Sequence, residues 1–385
     1  MTVDEAAPLF KRTRTGPTWL RRPRSTNPRR LAAVLSPAVA AATIAALMAP
    51  GTAFAVPPGD YMYVTLADDD TVSAVDTDSK KVVATTGVGD DPRGVAGSPD
   101  GRYVYVADRG SDQVSVIDTK TDAVIDTIAV GDVPTEVAVS PDGRRLYVPN
   151  AGDNSVSVIS TKKSAVVATI TEGIGDTPQG AAVSPDGRRV YIANGGDSVS
   201  VIDTSDNTVV EVIEDIDGAE DVVVSPDGKR VYVTAPGDDA VVVIAARSNS
   251  VIASIPLGNT PDDLALSPDG KRLYVSLDAD DPNQPGSVAV IDTKREKVVD
   301  VITEGIGLNP EDIAFTADGR QVYLANAGSD SLSVISARSN RVRTVITDGI
   351  GNEPHGLTDG GVRVRAKHCK PYGSWLFGYD RGCRD

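Results

Sequence analysis

The sequence predicts an all-β fold, a seven-bladed β-propeller of four-stranded antiparallel blades closed by a C-terminal inner strand that completes the N-terminal blade. Three observations predict it. Ser-Pro-Asp-Gly begins at residues 98, 140, 184, 225 and 267, and Thr-Ala-Asp-Gly begins at 316, so one unit recurs about once per blade length. Each unit offers four short Val/Ile-rich runs bounded by turn residues, and none has a helix-length periodic segment. The third run recurs seven times, near Val72, Val114, Val156, Val199, Val241, Val288 and Leu332, which sets the blade count.

Before the first unit, residues 1–55 hold eight of the 38 Lys/Arg and only two of the 54 Asp/Glu. The bases Arg21, Arg22, Arg24, Arg29 and Arg30 run into an Ala-rich apolar segment, Leu31 to Met48, followed by the small-residue site Ala53-Phe54-Ala55. This order is that of a secretory signal peptide cleaved after Ala55. A retained anchor is the alternative, weakened by Pro37 and by the many alanines. Arg29-Arg30 would also suit a twin-arginine route. The expected location is therefore secreted, cell-surface or cell-envelope, with no membrane span after signal cleavage.

Residues 56–360 form the propeller. In the third unit the strands fall at Glu136–Ser140, Arg145–Val148, Ser155–Ile159 and Ala165–Ile170, all rich in β-branched residues. Between the first two, Pro141 presets its backbone angle, Asp142 bonds locally and Gly143 accepts a positive φ. With 4% aromatic residues, packing falls to Val, Ala and Gly. The opening blade has strands at Tyr61, Val72 and Val82 but no inner strand. The missing phrase is Pro354 to Gly360, which matches Pro92 to Ala96 and Pro178 to Ala182. Pairing it with the first blade removes the two open edges that a broken ring would expose.

The phrases Val104-Tyr-Val-Ala-Asp, Leu146-Tyr-Val-Pro-Asn, Val190-Tyr-Ile-Ala-Asn and Val322-Tyr-Leu-Ala-Asn, each followed by text like Ser-Val-Ser-Val-Ile, resemble the YVTN-family β-propeller repeat over about residues 61–360. The resemblance implies an exported or cell-surface propeller of bacterial or archaeal type. It implies no particular chemistry, because related seven-bladed folds include lactonases, streptogramin-type lyases and parts of periplasmic oxidoreductases.

The net charge of -16 argues against a nucleic-acid partner, which needs a positive footprint. Connections between fourth and first strands, and between second and third, share one face of such a ring. Acids crowd them (Asp68, Asp69, Asp70, Asp90, Asp91, Asp238, Asp239, Asp278, Asp280, Asp281), and only Arg93 and Arg109 oppose them. Lys/Arg such as Arg144, Arg145, Arg188, Arg189, Lys229, Arg230, Lys271 and Arg272 follow the Asp-Gly turns on the opposite, hairpin face. Any one Asp is an ordinary turn former, but turn chemistry does not explain why bases avoid these loops. A field of one sign attracts cations or basic partners.

The residues opening the inner strands converge on the axis. They are Arg93-Gly94, Thr135-Glu136, Gln179-Gly180, Glu220-Asp221, Asp262-Asp263, Glu311-Asp312 and His355-Gly356. Glu136, Glu220, Asp221, Asp262, Asp263, Glu311, Asp312 and His355 are thus the candidate ligand- or cation-binding residues. Hard oxygen ligands suit Ca²⁺, and no His/Cys set for zinc is available; no other cofactor is expected. No nucleophile or base–orienter pattern marks a catalytic residue, and His355 reads as a surface residue of the closing strand. The insertion Asp278 to Gly286 lacks EF-hand spacing and reads as a mobile acidic loop.

Residues 361–385 are a basic, aromatic tail with Tyr372, Trp375, Phe377 and Tyr379. An oxidising compartment favours a Cys369–Cys383 disulfide; His368 and Cys369 as soft-metal ligands are the alternative. The tail would dock on the acidic body or serve as a separate recognition element. The whole reads as a monomeric, exported binding module with an acidic contact face and a protein or cell-envelope partner of basic character. The competing reading is a lactonase- or lyase-type enzyme, or a redox-associated propeller, with its site at the channel mouth.

Overall fold

The computed structural model describes residues 60–279 and 281–360. The expectations for the leader, the tail and the Cys369–Cys383 bridge lie outside them. Within them the chain makes seven four-stranded antiparallel sheets. Blade one joins Pro354–Asp359 to Tyr61–Leu66, Thr71–Asp76 and Lys81–Gly87. Blades two to seven follow in chain order, within residues 92–129, 138–170, 178–214, 222–256, 261–302 and 310–346.

Burial follows position in the blade. The second and third strands, such as Arg189–Asn194 and Ser198–Asp203, are buried along almost their whole length, because both faces pack against neighbouring blades. The outermost strand Lys81–Gly87 alternates exposed with half-buried residues, since only one of its faces meets protein. In every blade a bulge interrupts the pairing of third and fourth strands, as at Val158/Ile159 and Val334/Ile335, and adds local twist.

The buried apolar residues fall into seven clusters, one between each pair of adjacent blades. Each holds a tyrosine from the second strand, Tyr63, Tyr105, Tyr147, Tyr191, Tyr232, Tyr274 or Tyr323, and the cluster of Tyr63 holds Tyr61 as well. Small residues therefore do not pack the protein alone, as composition had implied. The Tyr of the repeat phrase is an inter-blade wedge, whose burial contributes about 1.5–3 kcal/mol, the range for a large apolar side chain.

Ring closure occurs as the sequence predicts. Pro354–Asp359 pairs antiparallel with Tyr61–Leu66, and Gly356 N–H donates to Thr65 Oγ1 at 2.7 Å. Met62, Val64 and Leu66 of blade one share a cluster with Tyr323, Leu332 and Ile346 of blade seven. On the hairpin side Lys80 crosses the same seam to Gln321 Oε1 and to Tyr323 OH.

The last residue of the second strand shows what the interior requires. Asn150, Asn194 and Asn326 are fully buried there and donate to serine hydroxyls of the third strand, for example Asn150 Nδ2 to Ser155 Oγ (2.9 Å) and Ser157 Oγ (3.0 Å). Blade two has Asp108 instead, also fully buried, accepting from Ser115 Oγ at 2.6 Å and Gln113 Nε2 at 3.1 Å. Burial raises its pKa to about 6. A carboxyl whose folded pKa lies above its unfolded value near 4 costs stability as pH climbs from about 4 to 6. Asp108→Asn is therefore expected to raise the melting temperature at pH 7.5 and to leave it unchanged or lower at pH 4, read by calorimetry at both values.

Candidate acidic channel mouth

Two sets of connections build the face around the channel, and hydrogen bonds interleave them. Arg109 and Gly110 N–H donate to Asp91 and Asp90 carbonyls (3.1 and 2.9 Å), and Ala151 and Gly152 N–H donate to Val133 and Asp132 carbonyls (2.9 Å each). Side chains staple the same loops from the other side. Asp70 Oδ1 accepts from Asp91 N–H (3.0 Å), Asp112 Oδ1 from Val133 N–H (2.8 Å), Asn154 Oδ1 from Thr177 N–H (2.8 Å) and Asp330 Oδ1 from Glu353 N–H (3.0 Å). These Asp and Asn side chains thus have a structural job, satisfying loop N–H groups from a left-handed turn position. Both sets of loops share one side, and its bases are partly neutralised: Arg93 Nε lies 2.7 Å from Asp91 and Arg109 Nη1 lies 3.4 Å from it.

Inside this belt the first residues of the inner strands face the axis. They retain some solvent contact along the channel and are otherwise surrounded by protein. Glycine permits the crowding. At Gly94 a Cβ would lie 2.4 Å from Glu136 Cα, and at Gly180 one would lie 2.7 Å from Asp221 Oδ1.

The carboxyls form two tiers. In the inner tier Asp263 is central, hydrogen-bonded to Asp221 on one side and to Asp312 on the other. Its Oδ1 accepts from Leu264 N–H at 2.5 Å and its Oδ2 from Ile313 N–H at 3.2 Å, while Asp312 Oδ2 accepts from Leu357 N–H at 2.6 Å. Glu136 bonds Val137 N–H at 2.9 Å and feels the charges of Asp312 and Asp221. In the outer tier Glu311 touches Asp262 and lies 3.2 Å from His355 Nε2, with Glu220 beside them. Asp278, from the insertion, adds its charge to Glu220, Asp262 and Glu311.

Packing so many acids in little water makes ionisation costly. Burial first, then neighbouring acids, raises Glu220 to about 8 and holds Glu136, Asp262 and Asp263 well above the carboxylate range. Burial likewise raises Glu311 to about 7, although Arg93 opposes it, and raises Asp221, Asp312 and Asp278. His355 moves the opposite way, well below its usual value, through burial and then through Arg93 and Arg109. Its contact with Glu311 is thus a hydrogen bond made by a neutral imidazole rather than an ion pair. Carboxyl–carboxyl contacts need a proton between their oxygens, so the cluster holds protons at neutral pH.

All eight candidate residues come together at the channel. Three points differ from the sequence reading. His355 lies inside the channel against Glu311, not on the outer surface, because the closing strand is the innermost of its blade. Asp278 belongs with the cluster, and its loop is tied at both ends by Asp278 N–H to Thr260 O and Gly286 N–H to Gly307 O (3.0 Å each). Arg93, lying against Asp91 and Glu353, acts on both Glu311 and His355, whereas Arg109 acts on His355. Among the described residues no group of three or more His, Cys, Asp or Glu is arranged to hold a metal ion. No helix among them is long and apolar enough to cross a membrane.

Two family models match parts of the chain. The choice-of-anchor I domain matches residues 179–305 and 220–352, and the cytochrome D1 heme domain matches 56–170. The latter stretch contains no His or Cys, and its one methionine, Met62, is fully buried between blades. The channel offers the single imidazole of His355 among carboxyls, so these residues do not fit a heme. No curated protein matches significantly. Among solved structures, hydrazine synthase of Kuenenia stuttgartiensis is 27% identical with a TM-score of 0.66, over 73% of this chain and 94% of that one. A protein of unknown function from Desulfotomaculum acetoxidans is 16% identical with a TM-score of 0.68, over 78% and 99%. The dihydro-heme d1 dehydrogenase NirN in complex with DHE is 20% identical with a TM-score of 0.58, over 80% and 77%. What the chain shares with all three is the propeller.

Proposed function

We propose that this propeller is an exported or cell-surface binding module whose acidic channel mouth receives a cationic group of a basic protein or cell-envelope component. The observation that carries this reading is the convergence of Glu220, Asp262, Glu311 and Asp278 at one entrance whose nearby bases among the described residues, Arg93 and Arg109, already lie against Asp91. A lysine or arginine side chain entering there would replace protons as the counter-charge. Binding would release protons, so affinity rises with pH as the carboxyls ionise.

The test titrates a short oligolysine peptide into the full chain by calorimetry at pH 5.5 and pH 8. Tighter binding at pH 8, weakened by salt and at least tenfold by the Glu220→Gln, Asp262→Asn double variant, is expected. Binding indifferent to pH and to that variant would overturn the proposal. A second reading rests on Asn309 Nδ2, Glu311 and His355, which form a donor–carboxyl–imidazole series. Lactone hydrolysis abolished by His355→Asn and by Glu311→Gln would favour it instead.

A further inference from the structure

On the hairpin face, away from the channel mouth, a groove of about 1170 Å³ opens between blades six and seven. Six Lys/Arg side chains and three aspartates line it. The groove between blades two and three occupies the same place in the fold, measures about 530 Å³ and is lined by Lys162 with Asp100 and Asp142. One location in the repeat thus has opposite charge in two copies.

Six Lys/Arg side chains reach the larger groove and only Lys162 the smaller, and local sequence adds to that difference. Where the third strand turns toward the fourth, blades two, four and six carry Asp118-Thr119, Asp203-Thr204 and Asp292-Thr293. Each Thr hydroxyl donates to the glycine carbonyl of its own blade's first hairpin, at 2.7 Å in all three. Blade seven has Ser336-Ala337, followed by Arg338. Blade three, which lines the smaller groove, also has Ser160 in place of the Asp and a cation, Lys162, but keeps Thr161, whose hydroxyl donates to Gly143 O at 2.8 Å; in blade seven that space-filling hydroxyl is missing as well. Its inner strand also ends in Phe315, packed edge-on against Tyr274 with ring centres 5.3 Å apart, which gives the groove an aromatic wall.

The cations are unevenly compensated. Lys271 pairs with Asp269 at 2.8 Å and Arg320 with Asp318 at 3.5 Å, while Arg272 and Arg295 share Asp292 at 2.8 and 3.9 Å. Lys294 and Arg338 have no carboxylate within ion-pair distance among the described residues. We infer that this groove is an anion-binding site for a small phosphomonoester carried on a flat ring. Two uncompensated cations and a shared Arg295 call for more than one negative charge. A phosphomonoester carries nearly two at pH 7 and has oxygens for an Arg fork. Phe315 supplies the face on which the ring rests.

The experiment titrates phenyl phosphate, inorganic phosphate and benzoate into the full chain by calorimetry at low salt. Phenyl phosphate is expected to bind most tightly, and the Lys294→Gln, Arg338→Gln double variant to weaken it about tenfold or more. Phe315→Ala should abolish the preference for phenyl phosphate over inorganic phosphate, and Lys162→Gln in the other groove should change nothing. Melting curves of the charge variants matching wild type would exclude misfolding as the cause of a loss. Phenyl phosphate that does not bind at millimolar concentration, or that binds the double variant as well as wild type, overturns the assignment.

Discussion

A chain ending at Gly351 is expected to be insoluble or to melt without a cooperative transition, whereas one ending at Arg365 should melt sharply. The shorter chain loses the whole strand Pro354–Asp359 and so strips Tyr61–Leu66 of its partner on the axial side. It also removes Leu357 from the cluster holding blades one and seven together, the Gly360 N–H that donates to Tyr61 O, and the Leu357 N–H that donates to Asp312. Each ladder bond contributes about 0.5–1.5 kcal/mol and one buried leucine about 1.5–3 kcal/mol, against a typical total stability of roughly 5–15 kcal/mol. The exposed edge would then be free to pair between molecules. Calorimetry and size-exclusion chromatography of the two chains decide the matter. A soluble shorter chain with a single sharp transition would disprove the dependence on closure.

The second large effect concerns Asp263. Its neighbours Asp221 and Asp312 also have raised pKa values, so the folded protein holds protons that the unfolded chain releases. Stability must therefore decline as pH rises from about 4, through the values near 7 for Glu311 and near 8 for Glu220. Asp263→Asn removes the central charge and can donate an N–H to either neighbour, but gives up one acceptor of the Leu264 and Ile313 N–H groups. That loss costs about 1–3 kcal/mol at every pH, while relief from crowding grows with pH. The variant should melt below wild type at pH 5 and above it at pH 8.5, by about 2–4 °C per kcal/mol. Thermal scans showing the same displacement at both pH values would eliminate shared protons as the cause.

The repeat made the ring legible. Ser-Pro-Asp-Gly marks one hairpin per blade, the third-strand phrase gives the number of blades, and Pro354 to Gly360 betrays the closing strand because it copies an inner-strand phrase. The convergence of Glu220, Asp262 and Glu311 was readable for the same reason, since equivalent positions of a ring meet at its axis. Properties that depend on neighbours rather than on position were not readable. His355 looked superficial because nothing in its own segment shows that Glu311 of the neighbouring blade packs against its ring. Asp278 looked like part of a loose loop because its link to Thr260 comes from another segment. The staple role of Asp70, Asp112 and Asp330 was hidden because each receives its N–H from 21 to 23 residues further along the chain. Ala337 carries no chemistry of its own, so only the volume left where Thr293 stands in blade six gives it meaning.

The seam also fixes an orientation. Gly360 N–H bonds Tyr61 O at 3.0 Å, so the described chain enters and departs at one spot, on the hairpin side of blade one. A tether attached beyond either terminus would pull from that spot. The carboxyl-lined opening lies on the opposite face of the ring, so a label fused at either end of residues 60–360 starts on the side away from it.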